Sequence, residues 1–493
     1  MTRLSHSAAS HTTAILRFTR WFCMSIPLAA AASCAVGPNY HRPKVDAAPD
    51  FKEAGDWKPS EPNDALSRGP WWEIYGDDAL NQLEVRIDIS NQNVKAAAAA
   101  FDQSRALVAQ ARAGFWPTVA ASVSRQRGAA GAPTATGAGL PVSSSGRSHI
   151  TDSAGVSANW DLDIWGKIRR TTESERASAQ SSAAALAAAR LSAQAELAID
   201  YFELRAQDQL QKLLDDTVEA ETLSLKIAES RYRFGVAARA DVVTAQAQLL
   251  SSQAQQVNAK IQRGILEHAI AVLIGQQPAA FSLSPSSLRT GVPTVPPGIP
   301  STLLERRPDI AEAERKVAAA NAQIGVATAA YFPDLTLSGS DDYTGNSMSH
   351  LIRASNRVWS IGPALAETLF DGGLRRAQVA QARAAYEGTV DSYRQTVLAG
   401  FQQVEDELVT LRVLEQQAVI EEAAVAAAQE AEKLTLNQYK AGTVPYSSVI
   451  TAQTARLSAE QTALTVLSNR LQASVVLIEA VGGGWNASQL PLP

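Results

Sequence analysis

The residue best placed for covalent chemistry is a cysteine near the N-terminus. Cys34 follows Ala-Ala-Ser, and a short apolar run precedes it over residues 21–32, behind three arginines. A charged start, a short apolar run and small residues at its end are typical of an export signal, predicted here over residues 1–33. The run is too short to span a bilayer, which takes about 20 residues. Acylation of Cys34 by a lipid is predicted; the alternative is an ordinary cleavage site with an unmodified thiol.

Other side chains that usually carry chemistry do not fall into a catalytic pattern. The sequence has no glycine-rich phosphate loop, no nucleophile elbow and no pair of histidines at helical metal-binding spacing. Its net charge of −5 brings no basic stripe for nucleic acid. We therefore predict a protein that is not an enzyme, with no metal site, no nucleic-acid partner and no cofactor beyond a covalent lipid. The histidines after the signal are scattered at His41, His149, His268 and His350.

The chain contains an internal duplication that organises everything else. The segment RYRFGVAARADVVTAQ aligns with QYKAGTVPYSSVITAQ, which pairs Tyr232 with Tyr439 and Gly235 with Gly442. Each copy is predicted as a helix, two strands and a long helical hairpin. The predicted segments are an N-terminal anchored and equatorial part at 34–90, repeat one at 91–275, an equatorial linker at 276–306, repeat two at 307–482 and a tail at 483–493.

Long helices are predicted from the absence of helix breakers. No proline occurs over residues 142–277 or 364–444, and aromatic residues make up only 6% of the chain. A helix of about 65 residues would be about 100 Å long, so it must pack against other long helices. The predicted hairpin arms are 166–233 with 240–275, and 371–440 with 446–481.

Four short segments alternate apolar and polar residues with a period of two. Ala154, Val156, Ala158 and Trp160 share one face of such a segment, which alternates with small polar residues. The pattern is typical of transmembrane β-strands, and a soluble sandwich is the alternative. The predicted strands are 117–127, 150–161, 334–342 and 357–367.

Aromatic residues at the strand ends favour the membrane interpretation. They precede the first strand of each pair and follow the second, so they gather at one end, as a membrane-interface girdle would. Four strands cannot close a membrane barrel, which needs about eight, so several copies must combine. The predicted interface aromatics are Phe115, Trp116, Trp165, Tyr331, Phe332 and Phe370.

Several motifs, in order along the chain, resemble one family. They are CAVGPNYHRP, WWEIYGDDALNQL, ERRPDIAEAERKVAAANAQIGVATAAYFPDLTL and AVGGGW. The chain resembles the outer-membrane factor (TolC-like) family, in its lipoprotein branch serving resistance-nodulation-division efflux systems. The resemblance implies a mainly α fold with a small β part. It also implies a homotrimer that forms a helical tube in the periplasm and a barrel of about 12 strands in outer-membrane lipid.

The same resemblance implies a passive exit duct for drugs and toxic compounds. An inner-membrane pump and a periplasmic adaptor would deliver the compounds, and the hairpin tips would close the tube and contact the adaptor. The implied tip and adaptor-contact residues are Tyr232, Gly235, Asp241, Tyr439, Gly442 and Tyr446. The implied gate candidates are Arg233, Asp241, Lys440 and Thr451.

Purely structural interpretations of these tip residues also stay open. The tyrosines and glycines can simply build the hairpins. Asp241 can face the lumen as part of a carboxylate ring, or can act as an N-terminal acid on the returning helix. Thr451 stands where relatives often carry Asp, so that ring is absent or displaced. At the level of the whole protein, a duct for secreted proteins and a structural periplasmic coiled coil are the rival functions.

Overall fold

A computed structural model describes residues 35–45, 48, 50–54, 70–129, 148–289, 291–293, 295 and 304–491. The predicted export signal and Cys34 lie outside the described residues. The chain divides into two compact units. One is made of Met1–Arg42, Gln103–Ala179 and Arg315–Val390, and the other of Pro43–Asp102, Gln180–Glu314 and Asp391–Pro493.

The described chain is mainly helical with one small sheet. Its helices of eight residues or more are α1 (Asp78–Ser90), α2 (Gln92–Ala113), α3 (Lys167–Arg233), α4 (Arg239–Leu273), α5 (Pro308–Ala329), α6 (Leu374–Ala441) and α7 (Tyr446–Ala480). Its strands are β1 (Thr118–Ala129), β2 (Ser148–Asp161), β3 (Asp334–Gly345) and β4 (Arg357–Ala366). The order helix, strand, strand, long helix, helix occurs twice, while the internal duplication itself stays a prediction. No helix among the described residues has an apolar stretch long enough to cross a membrane.

Each of the two long helices is preceded by an aspartate that accepts hydrogen bonds from backbone N–H groups at the helix start. The Asp163 carboxylate accepts from the N–H groups of Ile168 and Arg169, each at 2.9 Å. Asp371 accepts from the N–H groups of Gly373 at 2.9 Å and Arg375 at 3.2 Å. A carboxylate here satisfies free N–H groups and faces the positive end of the helix dipole. The Arg375 side chain and these amides lower the pKa of Asp371 to about 2.

The hairpins α3–α4 and α6–α7 turn by the same backbone device. Gly235 and Gly442 have φ of 74° and 77°, a left-handed conformation that glycine adopts without steric cost. In the first turn the N–H of Val236 bonds to the carbonyl oxygen of Arg231 at 2.9 Å. In the second, the N–H of Thr443 donates to the carbonyl oxygen of Gln438 at 3.0 Å. α3 and α6 contain 67 and 68 residues, and α4 and α7 contain 35 each.

The four strands form one antiparallel sheet in the order β1-β2-β3-β4. Its register places Val119 beside Ala158, and Trp160 beside Leu337, so apolar residues from neighbouring strands share one face. This apolar face is open, since Val119 is 65% exposed and Ile361 is 71% exposed. β1 and β4 are exposed along nearly their whole length on both faces. The described part of the chain therefore does not pack this sheet into a soluble sandwich.

The first described residues are fastened to the unit that contains the sheet. The N–H of Val36 donates to the carbonyl oxygen of Trp165 at 3.0 Å. Arg170, which is 4% exposed, donates to the carbonyl oxygens of Val36 at 3.1 Å and Gly37 at 3.2 Å. A Cβ added at Gly37 would lie 2.4 Å from the Cα of Gly325. The segment that follows Cys34 is thus closely packed on its own chain.

The second unit has an aromatic core and a clamped linker. Tyr75, which is buried, packs against Phe202 with ring centroids 4.8 Å apart and the rings tilted by 55°. Its hydroxyl pairs with the Ser474 hydroxyl at 2.7 Å. In the linker after α4, the carbonyl oxygen of Leu283 accepts from Arg263 at 2.6 Å. The N–H of Ser286 donates to Asp208 at 3.0 Å, so ion-paired side chains hold this linker against the first hairpin.

Candidate functional site at the helical hairpin tips

The tips of the two hairpins pack together through a small apolar cluster. Tyr439, Tyr446 and Val449 of the second hairpin are buried against Ala228 and Ala245 of the first. The two tyrosine rings lie 5.1 Å apart between centroids and are tilted by 60°. Small alanines on one side and large rings on the other let the helices approach closely. The cluster therefore fixes the two tips of one chain relative to each other.

Arg231 forms a polar link beside this cluster. Its Nη1 donates to the carbonyl oxygens of Tyr439 at 2.8 Å and Lys440 at 2.9 Å. Its guanidinium carbon lies 4.8 Å from the centre of the Tyr439 ring. These carbonyls belong to the last turn of α6, where backbone acceptors lack helical partners and the dipole favours a cation. One side chain of α3 thus completes the end of α6.

A layer of buried polar residues lies behind the tip. Gln248 donates to the Glu221 carboxylate at 3.0 Å, and Gln453 donates to the Ser224 hydroxyl at 3.3 Å. Burial raises the pKa of Glu221, against the opposing hydrogen bond from Gln248. Burial likewise raises the pKa of Tyr446 to about 12, opposed by its hydrogen bond with Ser224.

An arginine with two carboxylates continues this layer. Arg456 of α7 contacts Glu432 of α6 at 2.5 Å and Glu460 at 2.6 Å. It also reaches the Thr217 hydroxyl of α3 at 3.4 Å. Since these groups come from three helices, Arg456 ties both hairpins together further from the tip.

The residues predicted at the tips divide into buried and exposed sets. Tyr439 and Tyr446 are 2% and 1% exposed, whereas Tyr232 is 47% exposed. Tyr232 therefore does not pack between helices of its own chain, although the alignment pairs it with Tyr439. Gly235 is also open, since an added Cβ would meet nothing within 4 Å. A Cβ added at Gly442 would lie 3.3 Å from the Arg231 guanidinium.

The predicted gate candidates show different surroundings. Asp241 lies in the first turn of α4, but Ala238 is the N-cap and no side chain caps that helix by a hydrogen bond. Its charge adds to burial in raising the pKa of the Tyr439 hydroxyl. Thr451 donates to the carbonyl oxygen of Ser447 in its own helix at 3.0 Å. Arg233 and Lys440 have exposed side chains.

The predicted interface aromatics lie around the helix-side end of the sheet, in the other unit. Trp165 stacks on Phe332 with centroids 4.7 Å apart, and its ring N–H donates to the carbonyl oxygen of Pro333 at 2.9 Å. The Trp160 ring N–H donates to the carbonyl oxygen of Phe115 at 2.9 Å. Three further predicted aromatics are exposed: Trp116, Tyr331 and Phe370.

Arg231, Glu221 and Arg456 were not predicted as site residues. Arg231 begins the aligned tip segment, so its position gave a signal, but its contact with another hairpin required the fold. Glu221 and Arg456 lie in helices whose charged residues look like ordinary surface residues in the sequence. The part of the chain that the structure describes holds no cluster of three or more His, Cys, Asp or Glu that could bind a metal.

Comparison with known proteins identifies the family to which this chain belongs. The profile of the family "Outer membrane efflux protein" matches residues 86–276 and 299–483. The toluene efflux pump outer membrane protein TtgC of Pseudomonas putida is 30% identical over 462 residues, which cover 92% of this chain and 93% of that protein.

Solved structures agree with this match. The outer-membrane channel OprN superimposes with a TM-score of 0.82 at 29% identity, over 92% of this chain and all of that one. The open state of the Neisseria gonorrhoeae MtrE outer membrane channel gives a TM-score of 0.80 at 25% identity, over 92% of this chain and 99% of that one. The fold is that of an outer-membrane channel with a periplasmic extension. The chain belongs to the outer membrane efflux protein family, and it is the outer-membrane channel component of a tripartite efflux pump.

Proposed function

We propose that three copies of this chain form one continuous exit duct for small organic molecules. The observation that carries the proposal is the sheet: β1 and β4 leave both edges unpaired among the described residues, and the apolar face is exposed. An open edge and an open apolar face are stable in lipid only when the sheet closes on itself. Closure with about 12 strands requires three copies of this sheet.

The proposed orientation in the membrane follows from the aromatic residues. Phe115, Trp116, Trp165, Tyr331, Phe332 and Phe370 would lie at the periplasmic interface, where amphipathic rings are favoured. A lipid on Cys34 would enter the same leaflet. The fastening of Val36 to Trp165 supports this, because only one residue separates Cys34 from Val36. Beyond this lipid, no cofactor is proposed, and the duct performs no reaction.

We propose that the hairpin tips form the gate and the adaptor contact. Arg231, Tyr439 and Tyr446 link the two hairpins of one chain, so we assign opening to the contacts between chains, where Arg233, Asp241, Lys440 and Thr451 would act. Tyr232 and Phe234 are exposed at the first tip and would contact the adaptor. Gly235 and Gly442 would permit the sharp reversal at each tip. The energy would come from a resistance-nodulation-division pump in the inner membrane.

A cysteine cross-linking experiment tests the assembly. Ala120 on β1 is changed to Cys and combined in turn with Cys at Gly362, Ala364 or Ala366 on β4, which samples neighbouring registers. Cross-linking of outer membranes should give covalent dimers and trimers for at least one pair, and monomers for each single substitution. If all three pairs give monomers and no cross-linked species, the proposed trimer is contradicted. The susceptibility of a deletion strain to a panel of antibiotics then tests the cargo.

A further inference from the structure

The loop-side end of the apolar sheet face carries a rim of arginines. Arg125 and Arg127 on β1 lie on the same face as Val119, because they are an even number of residues away in the strand. Arg357 on β4 lies on the same face as Ile361 for the same reason. These residues are at the end of the strands away from the long helices. The apolar face therefore ends in cations on both edge strands.

Two of these arginines are held in a fixed orientation. Arg125 donates through Nε and Nη2 to the Asp152 carboxylate at 2.7 and 3.0 Å. Arg357 donates through the same two nitrogens to Asp341 at 2.8 Å each. The side chains of Arg125 and Arg357 are still 59% and 51% exposed, while that of Asp152 is fully buried. Each carboxylate thus holds one edge of a guanidinium, and the other edge faces outward.

The third arginine is free of a carboxylate within the described residues. Arg127 contacts only the Ser148 hydroxyl, at 3.4 Å, and its side chain is exposed. With two arginines neutralised and one not, the rim keeps a positive charge. A planar guanidinium with open N–H groups matches the geometry of phosphate oxygens.

We propose that this rim binds the phosphate groups of the glycolipid that forms the outer leaflet of the outer membrane. The inference rests on the proposed function, in which the apolar face meets lipid. The acyl chains would then cover Val119, Val156 and Ile361, and the headgroup would lie at the height of the arginines. Trp359 is 66% exposed beside Asp341, at a level where an amphipathic ring is favoured.

The rim is completed only between copies of the chain. β1 and β4 are the two edges of the sheet, so a closed barrel places β4 of one copy against β1 of the next. Arg357 of one chain and Arg125 and Arg127 of its neighbour would then face a single headgroup. Three such sites would surround the barrel.

The test measures binding of two lipids by the purified trimer. Bisphosphorylated lipid A and the same lipid with its phosphates removed are titrated in detergent, and the lipid retained by the protein is quantified. The first variant is Arg127→Gln, which leaves no buried carboxylate unpaired. The second is Arg125→Gln with Asp152→Asn, which removes a charge pair and keeps hydrogen-bonding groups. Lys167→Gln, at the opposite end of the sheet, is the matched control.

We expect wild type and the Lys167 variant to prefer the phosphorylated lipid. Each rim variant should bind it about tenfold more weakly, as expected for losing a charge-assisted hydrogen bond. Equal binding of both lipids by wild type, or unchanged binding by both rim variants, would overturn the proposal. A protein that does not insert into liposomes at all would instead contradict the proposed channel, so the two failures are distinguishable.

Discussion

Arg231 lies over the ring of Tyr439, with its guanidinium carbon 4.8 Å from the ring centre. The same guanidinium donates to the Tyr439 carbonyl oxygen at 2.8 Å. A cation–π contact and a charge-assisted hydrogen bond therefore join the same two residues. Because Arg231 is in α3 and Tyr439 is in α6, this pair connects the two hairpins of one chain at their tips.

Replacing Arg231 by Ala should loosen the link between the two hairpin tips of one chain, and with it the gate that the tips are proposed to form. The carbonyl oxygen of Lys440 would lose this donor, while that of Tyr439 would keep the N–H of Gly442, at a cost of about 2 kcal/mol. We expect cells with Arg231→Ala to become several-fold more sensitive to vancomycin, an antibiotic too large to cross the outer membrane through ordinary pores. Minimum inhibitory concentration measures this effect. Arg239→Ala removes the same charge from an exposed position and should match wild type, and an unchanged value for Arg231→Ala would contradict the link.

Loss of the hydroxyl should change the free energy of unfolding differently at the two buried tyrosines. The Tyr439 hydroxyl is buried and has no hydrogen-bond partner among the described residues, whereas that of Tyr446 bonds with Ser224. Tyr439→Phe should leave the free energy of unfolding unchanged or raise it. Tyr446→Phe should lower it by about 1 kcal/mol. Guanidinium unfolding in detergent gives both values, and a larger loss for Tyr439→Phe would show that its hydroxyl has a partner in the assembly.

The folded state should lose stability as the pH rises from 4 to 6, because Asp200 ionises less readily in the folded state than in the unfolded state. Burial, with the charges of Glu196 and Glu203, raises the pKa of Asp200 to about 6. In this window the folded state binds more protons than the unfolded state, so stability falls with rising pH. Asp200→Asn should raise the free energy of unfolding at pH 7 by about 1 kcal/mol, after allowance for solvent screening. At pH 4 the difference should vanish, and an equal effect at both pH values would exclude this cause.

Gly37 should be intolerant of any side chain. Its φ is 96°, and an added Cβ would lie 2.4 Å from the Cα of Gly325. Gly37→Ala should displace the N-terminal segment and speed hydrogen exchange of the amides around residue 36 by at least about tenfold. Gly264→Ala is the control, because nothing lies within 4 Å of an added Cβ in that helix. Exchange rates equal to wild type in Gly37→Ala would show that the segment adapts.

The sequence was most informative where one physical rule acts alone. Long stretches without proline predicted α3 and α6 to within three residues at each end, because a helix needs only local continuity. Three of the strands were predicted shorter than they are, and β4 was predicted one residue too long. β3 was expected to end at 342 but continues to Gly345. Backbone pairing extends through Asp341 and Asp342, which break the apolar alternation, so the pattern signal ends before the strand does.

The tip was harder to predict because equal sequence positions meet unequal neighbours. Tyr232 and Tyr439 align, yet Tyr439 is buried against the other hairpin of the same chain and Tyr232 is exposed. The role of Arg231 depends on a contact between residues more than 200 positions apart, which no local pattern encodes. The single-sheet architecture was predicted from alternation together with aromatic positions, since alternation alone also allowed a sandwich.

The unpaired edges of β1 and β4 also carry a genetic consequence. A chain that closes its sheet only with two further copies also assembles with any defective copy made in the same cell. If a variant with an intact sheet but a blocked tip is expressed at the level of wild type, only roughly one assembly in eight contains three normal chains. Such alleles should be dominant for drug sensitivity, whereas alleles that abolish the strands should be recessive.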